Sequence, residues 1–188
     1  MDHRTIENPV TGERATFVET AGESDGARSI LEVEVAPGGG VPTHRHADHD
    51  ERIAVLEGEI EVTVAGVRSR LRAGEHVVIE RGTVHGWRNP SPDRKLRMRG
   101  GMTPGHPGFE TALRVLFGLG RDGGLRPTGL PRRFTDLALV ADWDPSLLAV
   151  GARQLLLPWI RWTAGRARAR RRAAELLRRY GEPDRATV

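Results

Sequence analysis

Three histidines and one glutamate are spaced so that they could bind a common metal ion: His44, His46, Glu51 and His85. His44 and His46 lie two residues apart, so on a β-strand they would point to the same face. Glu51 follows after a short turn and can return to meet them, and His85 lies on a later hairpin. Three imidazoles and one carboxylate suit a divalent ion such as Fe, Mn, Ni, Co or Zn and leave coordination positions for water, oxygen or substrate. The sequence therefore predicts one divalent transition metal ion as cofactor.

Other chemistries find less support. The chain has 188 residues and no cysteine, which excludes a disulfide framework, a thiol nucleophile, an iron–sulfur cluster and any cysteine-based zinc site. The glycine run 38–40 lacks the Lys-Ser/Thr that completes a phosphate-binding loop. The histidine and glutamate cluster is therefore the main candidate site.

The spacing of this cluster resembles the two conserved motifs of the cupin superfamily. The first motif is matched by Gly38, His44, Arg45, His46, Glu51 and Gly58. The second, after 15 intervening residues, is matched by Gly74, Gly82, His85 and Asn89. The sequence departs from the family at Glu80, where the second motif usually has proline, but no ligand is lost. The resemblance covers roughly residues 28–102 and implies a double-sheet jelly-roll barrel with the metal inside. The alternative is that the histidines are surface or core residues without metal, as in cupins that have lost ligands.

The elements that would position these residues are short β-strands. The run 29–36 alternates Leu31, Val33 and Val35 with glutamates, the period of a strand with one wet face. Comparable runs lie at 5–7, 15–19, 53–57, 59–65, 67–71, 76–80 and 95–99. Such regular spacing predicts an antiparallel sandwich or barrel.

After Pro107 the pattern becomes helical. We predict helices over 109–119, over 130–143 and from Asp144 through Leu157, with Pro158 ending or kinking the third, and a fourth segment over 159–180. The predicted fold is mainly β: a double-stranded β-helix (jelly-roll) cupin barrel in residues 1–105, with motifs at 38–58 and 74–89. A C-terminal α-helical extension with a basic last helix follows in residues 106–188.

Three apolar residues are predicted to face the metal from the barrel wall: Ile53, Trp87 and Met98. Ile53 and Trp87 share the strand parity of Glu51 and His85, and Met98 alternates with arginines on its strand. We interpret the three as a substrate-binding wall, with ordinary barrel core as the alternative.

The remaining polar residues near the motifs are given less weight. Asp48, His49 and Asp50 lie between the ligands and could orient one of them, but solvated loop positions are the favoured interpretation. The other histidines have no partner at ligand spacing and are interpreted as incidental: His3, His76 and His106.

Charge is distributed unevenly along the chain. Residues 1–93 carry 10 Arg against 17 Asp and Glu, net −7, and the rest carries 19 basic against 8 acidic residues, net +11. Opposed charges favour association, and many cupins dimerise, so we expect a homodimer.

The arginine-rich last helix could bind nucleic acid or an anionic membrane. No DNA-docking motif accompanies it, and although Trp159, Ile160 and Trp162 keep membrane contact open, packing within the molecule or a dimer is favoured.

The resemblance implies an enzyme that acts on a small enol, phenol or polyketide-like substrate. A quercetinase-like dioxygenase is favoured, in which Glu51 both binds the metal and shuttles a proton. A non-redox cyclase or isomerase and a small-molecule-binding cupin without catalysis stay open. Because residues 1–4 are not followed by an apolar segment, no secretory signal is expected, and a cytoplasmic location follows.

Overall fold

A computed structural model of the chain describes residues 4–146 and 155–181, to which all structural statements refer. The strands are β1 (Thr5–Asn8), β2 (Glu13–Glu19), β3 (Ser29–Val35), β4 (Gly40–His44), β5 (Asp50–Glu57), β6 (Glu59–Val64), β7 (Val67–Arg72), β8 (His76–Ile79), β9 (His85–Arg88) and β10 (Leu96–Thr103). The helices in these residues are α1 (Pro107–Arg121), α2 (Phe134–Trp143), α3 (Leu157–Ala164) and α4 (Ala167–Tyr180).

The strands form two antiparallel sheets that share one core. The larger sheet has the order β1-β2-β3-β10-β5-β8, and the smaller has the order β4-β9-β6-β7. Both sheets contribute to one cluster of buried side chains: Val35, Ile53, Val55, Ile60, Val62, Ile79, Trp87, Leu96 and Met98. Burying each large apolar side chain stabilises the fold by about 1.5–3 kcal/mol. The predicted mainly β fold with a C-terminal helical extension is confirmed.

Strand β10 shows how alternation in the sequence fixes the faces of the sheet. Leu96 and Met98 are buried, whereas Arg97 and Arg99 are exposed and pair with Glu32 on β3. Successive side chains of a strand point to opposite faces, so the apolar positions enter the barrel and the charged positions remain in water. The expected inward direction of Met98 is confirmed.

Helix α1 is attached to the barrel by apolar packing and by buried hydrogen bonds. Phe117 packs in a cluster with Phe17 of β2. The carboxylate of Glu110, also buried, accepts hydrogen bonds from the backbone N–H of Ala21 at 2.7 Å and the hydroxyl of Ser29 at 2.5 Å. Each acceptor oxygen removed from water needs such partners, so the first turns of α1 are held in one position on the barrel.

Two of the predicted helix boundaries are wrong. Helix α2 begins at Phe134 rather than at residue 130, because Leu125 and Pro131 form an isolated antiparallel bridge that keeps the preceding segment extended. Pro158 does not end a helix but lies in the first turn of α3, where the missing N–H of proline costs no helical hydrogen bond. Most of the predicted third helix falls on residues 147–154, outside the described residues.

The predicted fourth segment consists of two helices, separated at Gly165. In α4, Leu176 is buried in the core of the helical extension. Arg172 of α4 forms two hydrogen bonds with the buried carboxylate of Asp136 in α2, from Nε at 2.8 Å and from Nη2 at 3.0 Å. At least one arginine of the basic helix therefore has a partner within the molecule.

The tryptophans of α3 lie on the surface. Ile160 is buried in the helical core, but Trp159 and Trp162 are exposed and contact each other edge to face, with Arg166 stacked on the Trp162 ring. None of the described helices combines the length and apolar character needed to cross a bilayer.

Candidate metal centre

Two of the predicted ligands are brought together by strand pairing. His44 at the end of β4 lies directly opposite His85 at the start of β9, and their ring centroids are 4.1 Å apart. The close approach of these strands depends on Gly40, since a Cβ there would lie 2.3 Å from the carbonyl oxygen of Trp87. Atoms cannot approach so closely, so only glycine fits at this position.

His46 reaches the same cluster from a loop. The expectation that His44 and His46 share a strand is wrong, because β4 ends at His44. The carbonyl of His46 accepts a hydrogen bond from the N–H of Gly82 at 2.6 Å, which fixes the loop between β4 and β5. The imidazole of His46 is buried and lies 4.9 Å from that of His44, centroid to centroid.

Glu51 completes the cluster from β5. Its Oε2 lies 2.8 Å from Nε2 of His85 and 3.5 Å from Nε2 of His46. His44, His46, Glu51 and His85 each offer one donor atom, and these four atoms all lie within 4.8 Å of one another. Donors bonded to a common ion at about 2.1 Å would be at most about 4.2 Å apart, so the cluster is close to the size that a metal ion requires.

The outward ring nitrogens of His44 and His85 also fit metal binding. Nδ1 of His44 donates to the carbonyl of Pro42 and Nδ1 of His85 to that of Thr83, both at 2.9 Å. A carbonyl can only accept, so in a neutral ring Nδ1 carries the hydrogen and the Nε2 lone pair is left for a metal. Such a bond on the far nitrogen is the usual support of a metal-binding histidine.

Burial and the local charges set the protonation of the metal-free cluster. Burial, assisted by the neighbouring His85, lowers the pKa of His44 to about 4. Burial alone would raise the pKa of Glu51, but hydrogen bonds to His46 and His85 outweigh it and hold that pKa well below the usual range. Burial likewise opposes the charge on His85, but its hydrogen bond to Glu51 prevails and raises the pKa of His85. Glu51 is thus ionised at neutral pH, as a ligand must be.

The predicted apolar wall lies inside the barrel. Ile53, Trp87 and Met98 are all buried and belong to the core cluster between the two sheets. Because Ile53 and Trp87 follow Glu51 and His85 by two residues on their strands, they extend the same inner surface. Their role in substrate binding stays a prediction.

A second group of polar side chains, which received little weight from the sequence, lies beside the centre. His49 is only 2% exposed, so its interpretation as a solvated loop residue is wrong. His106 is not incidental either: its Nε2 lies 3.3 Å from Asp48, and its Nδ1 accepts the backbone N–H of Phe109 as the N-cap of α1. Pro107 was the available signal for His106, since proline in the first helical turn marks the preceding residue as a cap.

The other polar residues near the motifs lie apart from the centre. Asp50 pairs with Arg81 on the surface, and His76 is exposed. His3 lies outside the described residues. The N–H of Arg45 donates to the carbonyl of Ser146 at 3.3 Å, so the segment that follows α2 touches the loop that carries His46.

Comparison with known proteins identifies the barrel. Residues 31–98 match the family model of the cupin domain. A germin-like protein, subfamily 2 member 4, of Arabidopsis thaliana is 30% identical over 120 residues, 61% of this chain and 54% of that protein. Quercetin 2,3-dioxygenase of Bacillus subtilis is 34% identical over 88 residues, 45% of this chain and 26% of that enzyme. A solved RmlC-like cupin from Shewanella frigidimarina aligns with a TM-score of 0.47 and 22% identity over 55% of this chain and 87% of its own.

The two-sheet barrel with histidines and glutamate at its motif positions is a cupin domain. The family model covers residues 31–98, and the assignment to the cupin superfamily is made for this part of the chain. It spans about half of the germin-like protein and about a quarter of the quercetin dioxygenase.

Proposed function

We propose that this chain is a metal-dependent cupin enzyme that acts on a small organic substrate with an enol, phenol or polyketide-like group, and that the reaction is a dioxygenation. The observation that carries the proposal is the convergence of three imidazoles and one carboxylate within 4.8 Å at the barrel interior. The similarity to a quercetin 2,3-dioxygenase supports the choice of reaction class.

In this proposal His44, His46, Glu51 and His85 hold the ion, which would supply an open coordination position and electrophilic or redox chemistry. The carbonyls behind His44 and His85 keep their Nε2 atoms directed inward. The single negative charge of Glu51 offsets part of the charge of a divalent ion. The surrounding apolar side chains exclude water, which strengthens these interactions.

Glu51 is also proposed to accept the hydroxyl proton of the substrate on a carboxylate oxygen. Its lowered pKa in the metal-free cluster makes it a weak base there. When Nε2 of His46 and of His85 binds the ion, these atoms carry no hydrogen to donate to Glu51. The contacts that lower the pKa in the metal-free cluster are then absent, and a carboxylate oxygen of Glu51 can accept the substrate proton.

Oxygen consumption tests the reaction class. The purified protein, loaded in turn with Fe(II), Mn(II), Ni(II) and Co(II), is incubated with a panel of flavonols and diketones in an oxygen electrode. We expect oxygen uptake that needs both metal and substrate and is lost in Glu51→Gln. Substrate conversion without oxygen uptake would contradict the dioxygenase and support the non-redox cyclase or isomerase, whereas binding without any product would support a binding module.

The apolar wall is tested in the same assay. Trp87→Phe keeps an aromatic ring but removes part of the inner surface, so we expect an altered preference among the panel with unchanged metal content. An unchanged preference would assign Trp87 to the barrel core alone.

A small-molecule substrate and a homodimer complete the proposal, and size-exclusion chromatography with light scattering tests the dimer.

A further inference from the structure

One ligand histidine lacks the support that the other two have. The outward Nδ1 atoms of His44 and His85 donate to backbone carbonyls. The corresponding Nδ1 of His46 is buried and, among the described residues, has no hydrogen-bond partner. When Nε2 of His46 binds a metal, Nδ1 carries a hydrogen, and a buried donor without an acceptor destabilises the site.

The imidazole of His49 packs against the ring of His46. The rings of His46 and His49 are 4.2 Å apart and inclined by 34°. Nδ1 of His49 lies 2.9 Å from Oδ1 of Asp48, and a carboxylate can only accept, so in the neutral ring Nδ1 carries the hydrogen. Nε2 of His49 then has a free lone pair, and this atom too is buried without a partner among the residues described. A buried donor and a buried acceptor, each unpaired, thus lie on adjacent rings.

Asp48 is itself held in place by His106. Nδ1 of His106 accepts the N–H of Phe109 at 2.7 Å, so the hydrogen of the neutral ring is on Nε2, which lies 3.3 Å from Oδ2 of Asp48. The two oxygens of Asp48 therefore face two imidazole N–H groups. This arrangement links the tautomer of His49 to the N-cap of α1.

Asp48, His49 and His106 could also be taken as a second metal site, since donor atoms of the three lie within 4.8 Å of one another. The cap of α1 argues against it. A ring whose Nδ1 accepts a hydrogen bond must carry its hydrogen on Nε2, and a protonated nitrogen cannot bind a metal. A hydrogen-bonded support agrees with the contacts, whereas a second ion would require His106 to give up its bond to Phe109.

We propose that His49 is a positioning residue for the metal ligand His46: with metal bound, Nε2 of His49 accepts the Nδ1 hydrogen of His46. The inference rests on the proposed metal site. The rings are in tilted contact in the metal-free structure, and the hydrogen bond requires them to turn so that these two nitrogens face each other. All three ligand histidines would then have an acceptor behind them, two from the backbone and one from a side chain held by Asp48 and His106.

Two amide substitutions separate this role from a merely structural one. Glutamine places its carbonyl oxygen near the position of histidine Nε2, so His49→Gln keeps an acceptor for His46. Asparagine places its amide nitrogen near the position of Nδ1, so His49→Asn keeps the donor to Asp48 but loses that acceptor. His76→Gln changes an exposed histidine and is the matched control.

The measurement is the Zn²⁺ dissociation constant of each intact protein, obtained by competition with a chromophoric chelator. We expect His49→Asn to weaken Zn²⁺ binding by about 10- to 100-fold, the usual cost of removing such a partner, and His49→Gln and His76→Gln to stay near wild type. Equal affinities of the two His49 variants, or weaker binding by His49→Gln than by His49→Asn, would overturn the proposal. A wild-type protein that binds no Zn²⁺ would overturn the metal site itself, which is a different result.

Nitrogen-15 NMR of the Zn²⁺-loaded wild-type protein tests the tautomers without any substitution. We expect His46 and His49 to carry their ring hydrogens on Nδ1, with Nε2 of His49 accepting a hydrogen bond. A hydrogen on Nε2 of His49 in the metal-loaded protein would overturn the proposal, whatever the variants show.

Discussion

The ion pair between Arg172 and Asp136 gives a prediction about how the helical extension is held together. Asp136 is nearly inaccessible, and the side chain of Arg172 is 19% exposed. Replacing Arg172 with methionine keeps much of the apolar length of the side chain but leaves the Asp136 carboxylate buried without its partner. Breaking a buried pair from one side costs about 3–5 kcal/mol. Because Arg172 keeps some contact with water, we expect the lower end, about 3 kcal/mol.

The assay is urea denaturation followed by the helical circular dichroism signal, with Arg171→Met as the control. Arg171 is the exposed neighbour of Arg172, so its replacement should change the free energy of unfolding by less than about 0.5 kcal/mol. The double variant Asp136→Leu, Arg172→Met removes both charges and should recover part of the loss.

Equal stabilities of Arg172→Met and Arg171→Met would refute the reasoning, because the buried carboxylate would then not depend on Arg172. The contact of Arg172 with Glu175 cannot account for a large effect, since Glu175 is half exposed and surface pairs contribute about 0–1 kcal/mol.

Two further predictions concern the barrel and its centre. Gly40→Ala should lower the melting temperature and the metal affinity, because the added Cβ would meet the Trp87 carbonyl at 2.3 Å. Gly100→Ala is the control and should change neither, because nothing lies within 4 Å of its added Cβ. Equal effects of the two variants in thermal melts would contradict the packing of β4 on β9. In the metal-free protein, the pKa of His44 is lowered to about 4, so between that value and about 6.5 the unfolded chain binds a proton at His44 that the folded chain does not. Stability should therefore fall with acidification across this window by up to about 1.4 kcal/mol per pH unit, and His44→Asn should fall less steeply in urea denaturation; parallel slopes would contradict the assignment.

The convergence of the four candidate ligands could be predicted from the sequence, because strand parity and motif spacing act over short stretches of the chain. Strand parity relates Glu51 to Ile53 and His85 to Trp87, and the motif spacing places the four donors on one barrel. The structure brings these donors together even though His46 lies on a loop rather than on β4. The position of His46 is set by the hydrogen bond from the N–H of Gly82 to its carbonyl, and not by strand geometry.

The support around the site could not be predicted in the same way. His49 is buried in a loop, and His106 joins it through Asp48 although it lies at the start of α1. No local period connects residues so far apart in the chain. Two helix boundaries were predicted wrongly for a related reason, since proline can lie before a helix, in its first turn or after its end. The bridge between Leu125 and Pro131 places Pro131 before α2. Pro158 lies in the first turn of α3 rather than after the end of a helix.

The most direct test of the metal centre is elemental analysis of the purified protein, expressed without added metal and compared with His46→Ala and Glu51→Ala. We expect about one transition-metal ion per chain in the wild type and almost none in either variant, with far-UV spectra that stay close to the wild type. A wild-type protein without metal, or variants that keep a full complement, would contradict the assignment of these side chains as ligands.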